Sequence, residues 1–188
     1  MIYQKKPSNK LIENMKNKVL LICCFLFFSF CFVILFKSLN NFNAYKPETI
    51  KNEKLASFVA KDFFSGEEIS SDKIFVDSDY YILNIWSSWC GPCRDEHPIL
   101  MEISKNKSIK LIGINFRDNP KNAKKFINDF GNPFSLILTD KDGTIAITLG
   151  AYGVPETTII NKNKKIIKKF IGSINNKDSI SEIELILK

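Results

Sequence analysis

A seven-residue apolar run, Tyr80-Tyr81-Ile82-Leu83-Asn84-Ile85-Trp86, stands just ahead of the pair spaced Cys90-Gly91-Pro92-Cys93, and this junction constrains the chain more than any other stretch. Ile and aromatic residues in an unbroken run read as a buried strand. A Pro two residues past Cys90 suits the first turn of a helix, where its missing N–H costs nothing. Cys90 therefore falls at a strand-to-helix junction. The unpaired N–H groups of the first helical turn and the positive end of the helix dipole favour a thiolate there, which lowers the thiol pKa and makes Cys90 the attacking sulfur. Cys93, one turn deeper, is its resolving partner.

Two other readings of a Cys-x-x-Cys pair compete with redox chemistry. A structural zinc site needs four ligands, and the chain has no second such pair and a single histidine, His97. A purely structural disulfide across two residues closes a loop too short to constrain the unfolded chain much. Neither accounts for the pair as well as thiol–disulfide exchange does, and no metal site is expected.

The string Trp89-Cys90-Gly91-Pro92-Cys93 after an apolar strand resembles thioredoxin, with Pro98 placed where thioredoxins kink the active-site helix. Glu96-His97-Pro98, Tyr152-Gly153-Val154-Pro155-Glu156-Thr157 and Gly113-Ile114-Asn115-Phe116-Arg117-Asp118 narrow the resemblance to the membrane-tethered DsbE/CcmG branch of cytochrome c maturation proteins. It runs from about Leu55 to the C-terminus. It implies an α/β thioredoxin-like sandwich on a central mixed sheet, with Pro120 to Leu138 as a strand-helix insertion.

The resemblance also implies a cis Val154–Pro155 bond facing the cysteines, which only an X-Pro bond makes accessible. The Val154 backbone would then be free to pair with an extended substrate segment. Trp89, Gly91, Pro92, Val154, Pro155 and Glu156 are the expected substrate contacts. Thioredoxins carry a buried Asp six residues before the first Cys, and here that position is Asn84, which cannot take a proton. Glu96, three residues past Cys93 on one helix face, is the expected proton acceptor for Cys93, with Glu156 second. The bland alternative for Glu96 is an exposed helix charge. His97 beside a Pro reads as a packing or surface residue, Trp86 as core and Trp89 as a shield over the sulfurs. Asp118 is expected to rim the groove with Glu96 and Glu156 as an acidic lining, or else to be a solvated loop residue.

Val19 to Phe36 is an 18-residue run with no charge, and as a helix it extends roughly 27 Å, close to the hydrocarbon thickness of a bilayer. Five lysines against Glu13 precede it, a net +4. The positive-inside rule then puts residues 1–18 in the cytoplasm, 19–36 across the membrane, 37–52 in a tether and 53–188 in the periplasm. A cleaved signal peptide is the rival, but its apolar core is shorter and ends in a small-x-small site. Cys23, Cys24 and Cys31 lie in the apolar run as small lipid-facing side chains, so beyond the membrane only Cys90 and Cys93 remain.

Of the formal charge of +7, little is left for the rest of the chain, which argues against nucleic acid. Lys162, Lys164, Lys165, Lys168 and Lys169 cluster late and read as a solvated face. The pattern predicts a hairpin-like lead-in from Leu55 to Phe64 and Ile69 to Val76, then a helix from Pro92 to about Lys105. A parallel strand follows from Ile109 to Phe116, then a helix from Pro120 to Phe130 and a strand from Ser135 to Leu138. A short segment, Thr144 to Leu149, precedes a closing hairpin of Thr157 to Ile160 with Lys165 to Ile171. The last helix is expected to be capped by Asp178 or Ser179, with Ile180, Ile183 and Leu187 inward.

Together these features lead to a membrane-anchored thiol:disulfide oxidoreductase running as a reductant, its redox centre the Cys90–Cys93 pair and no other cofactor. By resemblance its substrate is the Cys-x-x-Cys-His haem-attachment motif of apocytochrome c, or a relay chaperone carrying it. Its electron donor is a membrane thiol transporter of the DsbD or CcdA kind. A broader disulfide reductase or isomerase, and a non-redox module holding apocytochrome or haem, are the alternatives.

Overall fold

The computed structural model describes residues 9–40 and 53–187, which fall into two separate units divided between Lys46 and Pro47. The first is one helix, α1 (Asn9–Asn40), whose stretch Met15–Lys37 is long and apolar enough to cross a membrane. The expected tether lies mostly outside the described residues, as do the first eight residues of the basic flank.

The second unit is built on seven strands: β1 (Val59–Asp62), β2 (Glu68–Ser70), β3 (Tyr80–Trp86), β4 (Ile109–Phe116), β5 (Leu136–Asp140), β6 (Glu156–Asn161) and β7 (Ile166–Ile171). They form one mixed sheet in the order β2-β1-β5-β4-β3-β6-β7. The helices are α2 (Ser71–Ile74), α3 (Gly91–Ile103), α4 (Pro120–Phe130), α5 (Thr144–Thr148) and α6 (Lys177–Ile186). β3 lies inside the sheet, parallel to the central β4 and antiparallel to β6.

Side chains alternate across a strand, and β3 divides two cores in that way. Ile82 and Trp86 enter a cluster with Leu100 of α3, Phe126 of α4 and Ile183 of α6. Tyr81, Leu83 and Ile85 enter the opposite cluster with Ile74 of α2, Ile112 and Ile114 of β4 and Ile145 of α5. Asn84 shares the face of Ile82 and Trp86 and so points toward α3. The expected insertion, α4 with β5, places one parallel strand between β4 and the antiparallel β1. Packing there is tight: a Cβ on Gly113 would stand 2.8 Å from Trp86 Nε1 and 2.9 Å from Phe134 Cγ.

Several local expectations shift. The lead-in is a hairpin only over β1 and β2, and Ser71–Ile74 of the second apolar patch turns helical behind the Ser70 cap. The segment after Gly143 is the short helix α5. The last helix is capped by Asn176, whose side chain accepts from the Ser179 N–H at 2.8 Å, rather than by Asp178 or Ser179. Of its expected stripe, Ile183 is buried while Ile180 and Leu187 are half-buried.

Candidate active site

Strand β3 runs out at Trp86, and α3 begins at Gly91 with Pro92 in its first turn. Cys90 is the residue that caps this helix: its Sγ accepts from the Cys93 N–H at 3.2 Å, and its own carbonyl accepts from the Arg94 N–H at 3.3 Å. The first helical turn thus directs a backbone donor at the sulfur, the arrangement that favours negative charge there. Cys90 and Cys93 are joined as a disulfide with Cα atoms 5.3 Å apart. The two residues are 4% and 2% exposed, while Trp89, Gly91 and Pro92 around Cys90 are exposed. Approach to the disulfide is therefore from the Cys90 side, since Cys93 lies within α3 and faces the core.

The segment ahead of Cys90 is fastened to the end of β4. Asp118 Oδ2 accepts from the Ser88 N–H at 2.5 Å and from the Asn115 amide at 3.0 Å, while Oδ1 accepts from the Ser88 hydroxyl at 2.7 Å and the Asn119 N–H at 2.7 Å. The Trp89 indole N–H donates to the Arg117 carbonyl at 3.2 Å. Asp118 is half-buried and occupied by these donors, not a free acid on a groove rim.

On the other side, β6 pairs with β3 so that Glu156 stands opposite Ile85, which brings the residue before it, Pro155, to the sheet end where the cysteines lie. The Val154–Pro155 bond is cis. Val154 is half-buried and packs on the cluster that contains Cys90 and Cys93.

Glu96 is fully buried on α3, and so is not an exposed helix charge. Its Oε1 accepts from the Asn84 amide at 2.8 Å and its Oε2 from the Ile174 N–H at 3.0 Å. The same amide donates to the Thr157 hydroxyl at 3.0 Å. Burial, only partly offset by the Ile174 and Asn84 donors, raises the Glu96 carboxyl to a pKa of about 7. Being three residues from Cys93 on one helix, its Cβ lies about 5–6 Å from that of Cys93.

His97 is buried against Phe126, ring centroids 4.9 Å apart, and its Nε2 lies 3.0 Å from the Gly131 carbonyl. Burial lowers its pKa, with the Gly131 and Phe130 carbonyls opposing. It packs between α3 and α4. Glu156 contradicts expectation: at 1% exposure it is inside the protein, paired with Lys169 at 2.8 Å and accepting from the Tyr152 N–H at 2.9 Å. With Glu96 and Glu156 both buried, neither carboxylate lines an exposed groove.

These features have parallels among known proteins. The Redoxin family model matches residues 51–187. Thiol:disulfide interchange protein DsbE of Escherichia coli is 32% identical over 167 residues, covering 86% of this chain and 89% of that protein. The chain belongs to the DsbE family. A probable DsbE-2 of Pasteurella multocida is 43% identical over 94 residues, half of this chain, and the match spans about half the length of that relative. A DsbF homologue from Corynebacterium diphtheriae superposes with a TM-score of 0.62 at 23% identity, covering 76% of this chain and 96% of that one, which establishes the shared thioredoxin-like fold. DsbE-family membership and the Cys90–Cys93 disulfide place the chain among disulfide oxidoreductases.

In this DsbE-family chain the structure gathers Cys90, Cys93, Glu96, Trp89, Gly91, Pro92, Val154 and Pro155 at one end of β3 and β6, and removes Glu156 to the interior. Two residues escaped sequence reasoning. Lys169 sat in a lysine run that reads as solvated, yet its side chain is 5% exposed. Asn84 cannot take a proton, yet its position supplies Glu96 with a donor. Strand alternation could have placed Asn84, which shares the face of Ile82 and Trp86, but not Lys169, because β7 buries Lys169 and Phe170 in succession.

Proposed function

We propose that the chain is a membrane-tethered, periplasm-facing reductase of protein disulfides, acting on the Cys-x-x-Cys-His disulfide of apocytochrome c. The observation that carries this is the cap at α3, where the Cys93 N–H meets the Cys90 sulfur at 3.2 Å and favours its thiolate. In the reduced protein the Cys90 thiolate attacks one sulfur of the substrate disulfide. That S–S bond breaks, one substrate thiolate leaves, and a mixed disulfide joins Cys90 to the other substrate sulfur. Cys93 then gives its proton to the Glu96 carboxylate and attacks the Cys90 sulfur. The Cys90–Cys93 disulfide forms, the second substrate thiolate is released, and the substrate has gained two electrons.

A carboxyl poised at about 7 can take that proton near neutral pH and release it again, which favours Glu96 over Glu156 for the role. Glu156 already holds Lys169. Substrate would lie along Trp89, Gly91 and Pro92 and pair with the Val154 backbone beside Pro155. The redox couple is the cysteine pair alone, with no further cofactor, and the disulfide form is the one a donor must recharge.

Residues 1–18 are assigned to the cytoplasm and 53–188 to the periplasm on the strength of the basic flank before the apolar helix. A membrane thiol transporter of DsbD or CcdA type would return electrons from the inner membrane, and a relay chaperone could carry the apocytochrome. In the host, a Cys90→Ser strain should lose its c-type cytochromes, and normal levels would refute the assignment. Efficient reduction of insulin by the purified domain would select the broader reductase. Maturation supported by a Cys90→Ala, Cys93→Ala double variant would select the non-redox module.

A further inference from the structure

Lys169 lies on β7 opposite Thr158 of β6, and it buries an ammonium where its neighbours Lys162, Lys164 and Lys165 stay near the surface. Such a charge is costly to bury unless it is fully partnered. Three oxygens surround it, two of them carbonyl hydrogen-bond acceptors and the third the carboxylate of an ion pair. Nζ is 2.8 Å from Glu156 Oε1 and donates to the Leu149 carbonyl at 3.1 Å and the Gly150 carbonyl at 2.9 Å. The second Glu156 oxygen accepts from the Tyr152 N–H at 2.9 Å, and the Pro155 carbonyl accepts from the Gly172 N–H at 2.9 Å. Segment 149–156 is therefore held at its start by the ammonium, at its middle by the Glu156 carboxylate and near its end by a backbone bond to Gly172. Val154–Pro155 lies within it.

We propose that Lys169 is a positioning residue for disulfide exchange: by clamping segment 149–156 it presets the Val154–Pro155 backbone for a substrate strand. This rests on the reading above, in which that backbone docks substrate. A docking edge held in shape before binding needs no ordering on contact, so loosening it weakens encounter with an extended polypeptide. The sulfur chemistry, located on α3, is left alone.

The test compares wild type with Lys169→Met using two disulfide substrates, a synthetic peptide containing an oxidised Cys-x-x-Cys-His motif and insulin. The expected result is a KM raised about tenfold with kcat within about twofold. Reduction of Cys90–Cys93 by dithiothreitol, which needs no docking edge, should stay within about twofold. An unchanged KM overturns the clamp, and so does a fall in kcat and dithiothreitol rate with KM unmoved. If wild type turns over neither substrate, the docking reading fails and hydrogen exchange decides the clamp by itself. The Tyr152 and Gly172 amides should then exchange at least about tenfold faster in Lys169→Met, and wild-type protection would overturn it. If Lys169→Met does not fold, the Lys169→Met, Glu156→Gln pair removes both charges together. It should show the same KM or exchange shift, and wild-type values in it would overturn the proposal.

Discussion

The Asn84 amide on β3 donates to Oε1 of Glu96 on α3 at 2.8 Å, so a buried acid near Cys93 meets the group that steadies it. Burial raises the Glu96 carboxyl to about 7, and the Asn84 donor works against that rise. An acid at the Asn84 position would put two carboxyls in one buried site, where one of them must stay protonated.

Stability should fall with rising pH because of Glu96. Its carboxyl is raised from 4.5 to about 7 in the folded protein, so the protonated form favours the native state. Between about pH 4.5 and 7 the unfolded chain has lost this proton while the folded one keeps it, and unfolding is progressively favoured. The full effect is on the order of 3 kcal/mol, present below about 4.5 and gone above about 7. Urea unfolding of the disulfide form at pH 5 and pH 8 should show the loss. Glu96→Gln should flatten that part of the profile, and an unchanged slope would mean Glu96 is not its source.

Resolution of the mixed disulfide should depend on the same carboxyl. Glu96→Gln is expected to slow release of substrate from Cys90 by about 100-fold while leaving the first attack nearly intact. Stopped-flow quenching would then catch an accumulated mixed disulfide that wild type does not show. Cys93→Ser should trap the same species permanently, and Cys90→Ser should trap none.

Asp118 should matter for the cysteine loop although it touches neither sulfur. Asp118→Asn leaves one side of the side chain presenting an amide to groups that now donate to it, Ser88 and Asn119 or Ser88 and Asn115. The expected cost is about 2 kcal/mol, read as a lower urea midpoint. Faster exchange of the Ser88 amide should accompany it, and unaltered protection there would contradict the fastening.

Gly113→Ala should destabilise the sheet by about 1–3 kcal/mol, because the new methyl would lie 2.8 Å from the Trp86 indole nitrogen and 2.9 Å from Phe134. A thermal shift of several degrees downward, with Trp fluorescence altered in the folded state, is the expected reading. The cysteines should still form their disulfide.

The order of strands and helices was legible because each element carries its own signal. β3 is a continuous apolar run, Pro92 and Pro120 open helices, and Asn119 caps the second of these through its side chain. The site at Cys90 was legible for the same reason, since strand, cysteine and Pro are contiguous. What misled were polar residues read by their neighbours in sequence. Lys169 looked like one more solvated lysine and Glu156 like a groove acid, yet each is buried against the other across the β6–β7 hairpin.

The chain's own order of residues determined where the reactive sulfur lies, which helix turn faces it and which Pro comes near it, because those depend on bonds and spacings a few residues long. Only the tertiary structure decided what surrounds the buried acids and so where the Glu96 carboxyl titrates. Glu96 meets Asn84 from 12 positions away and the Ile174 amide from 78, and no local pattern encodes how much water such contacts remove. Desolvation is a property of everything packed around a group, so the carboxyl at position 96 is raised to about 7 only once the sheet and α3 close over it.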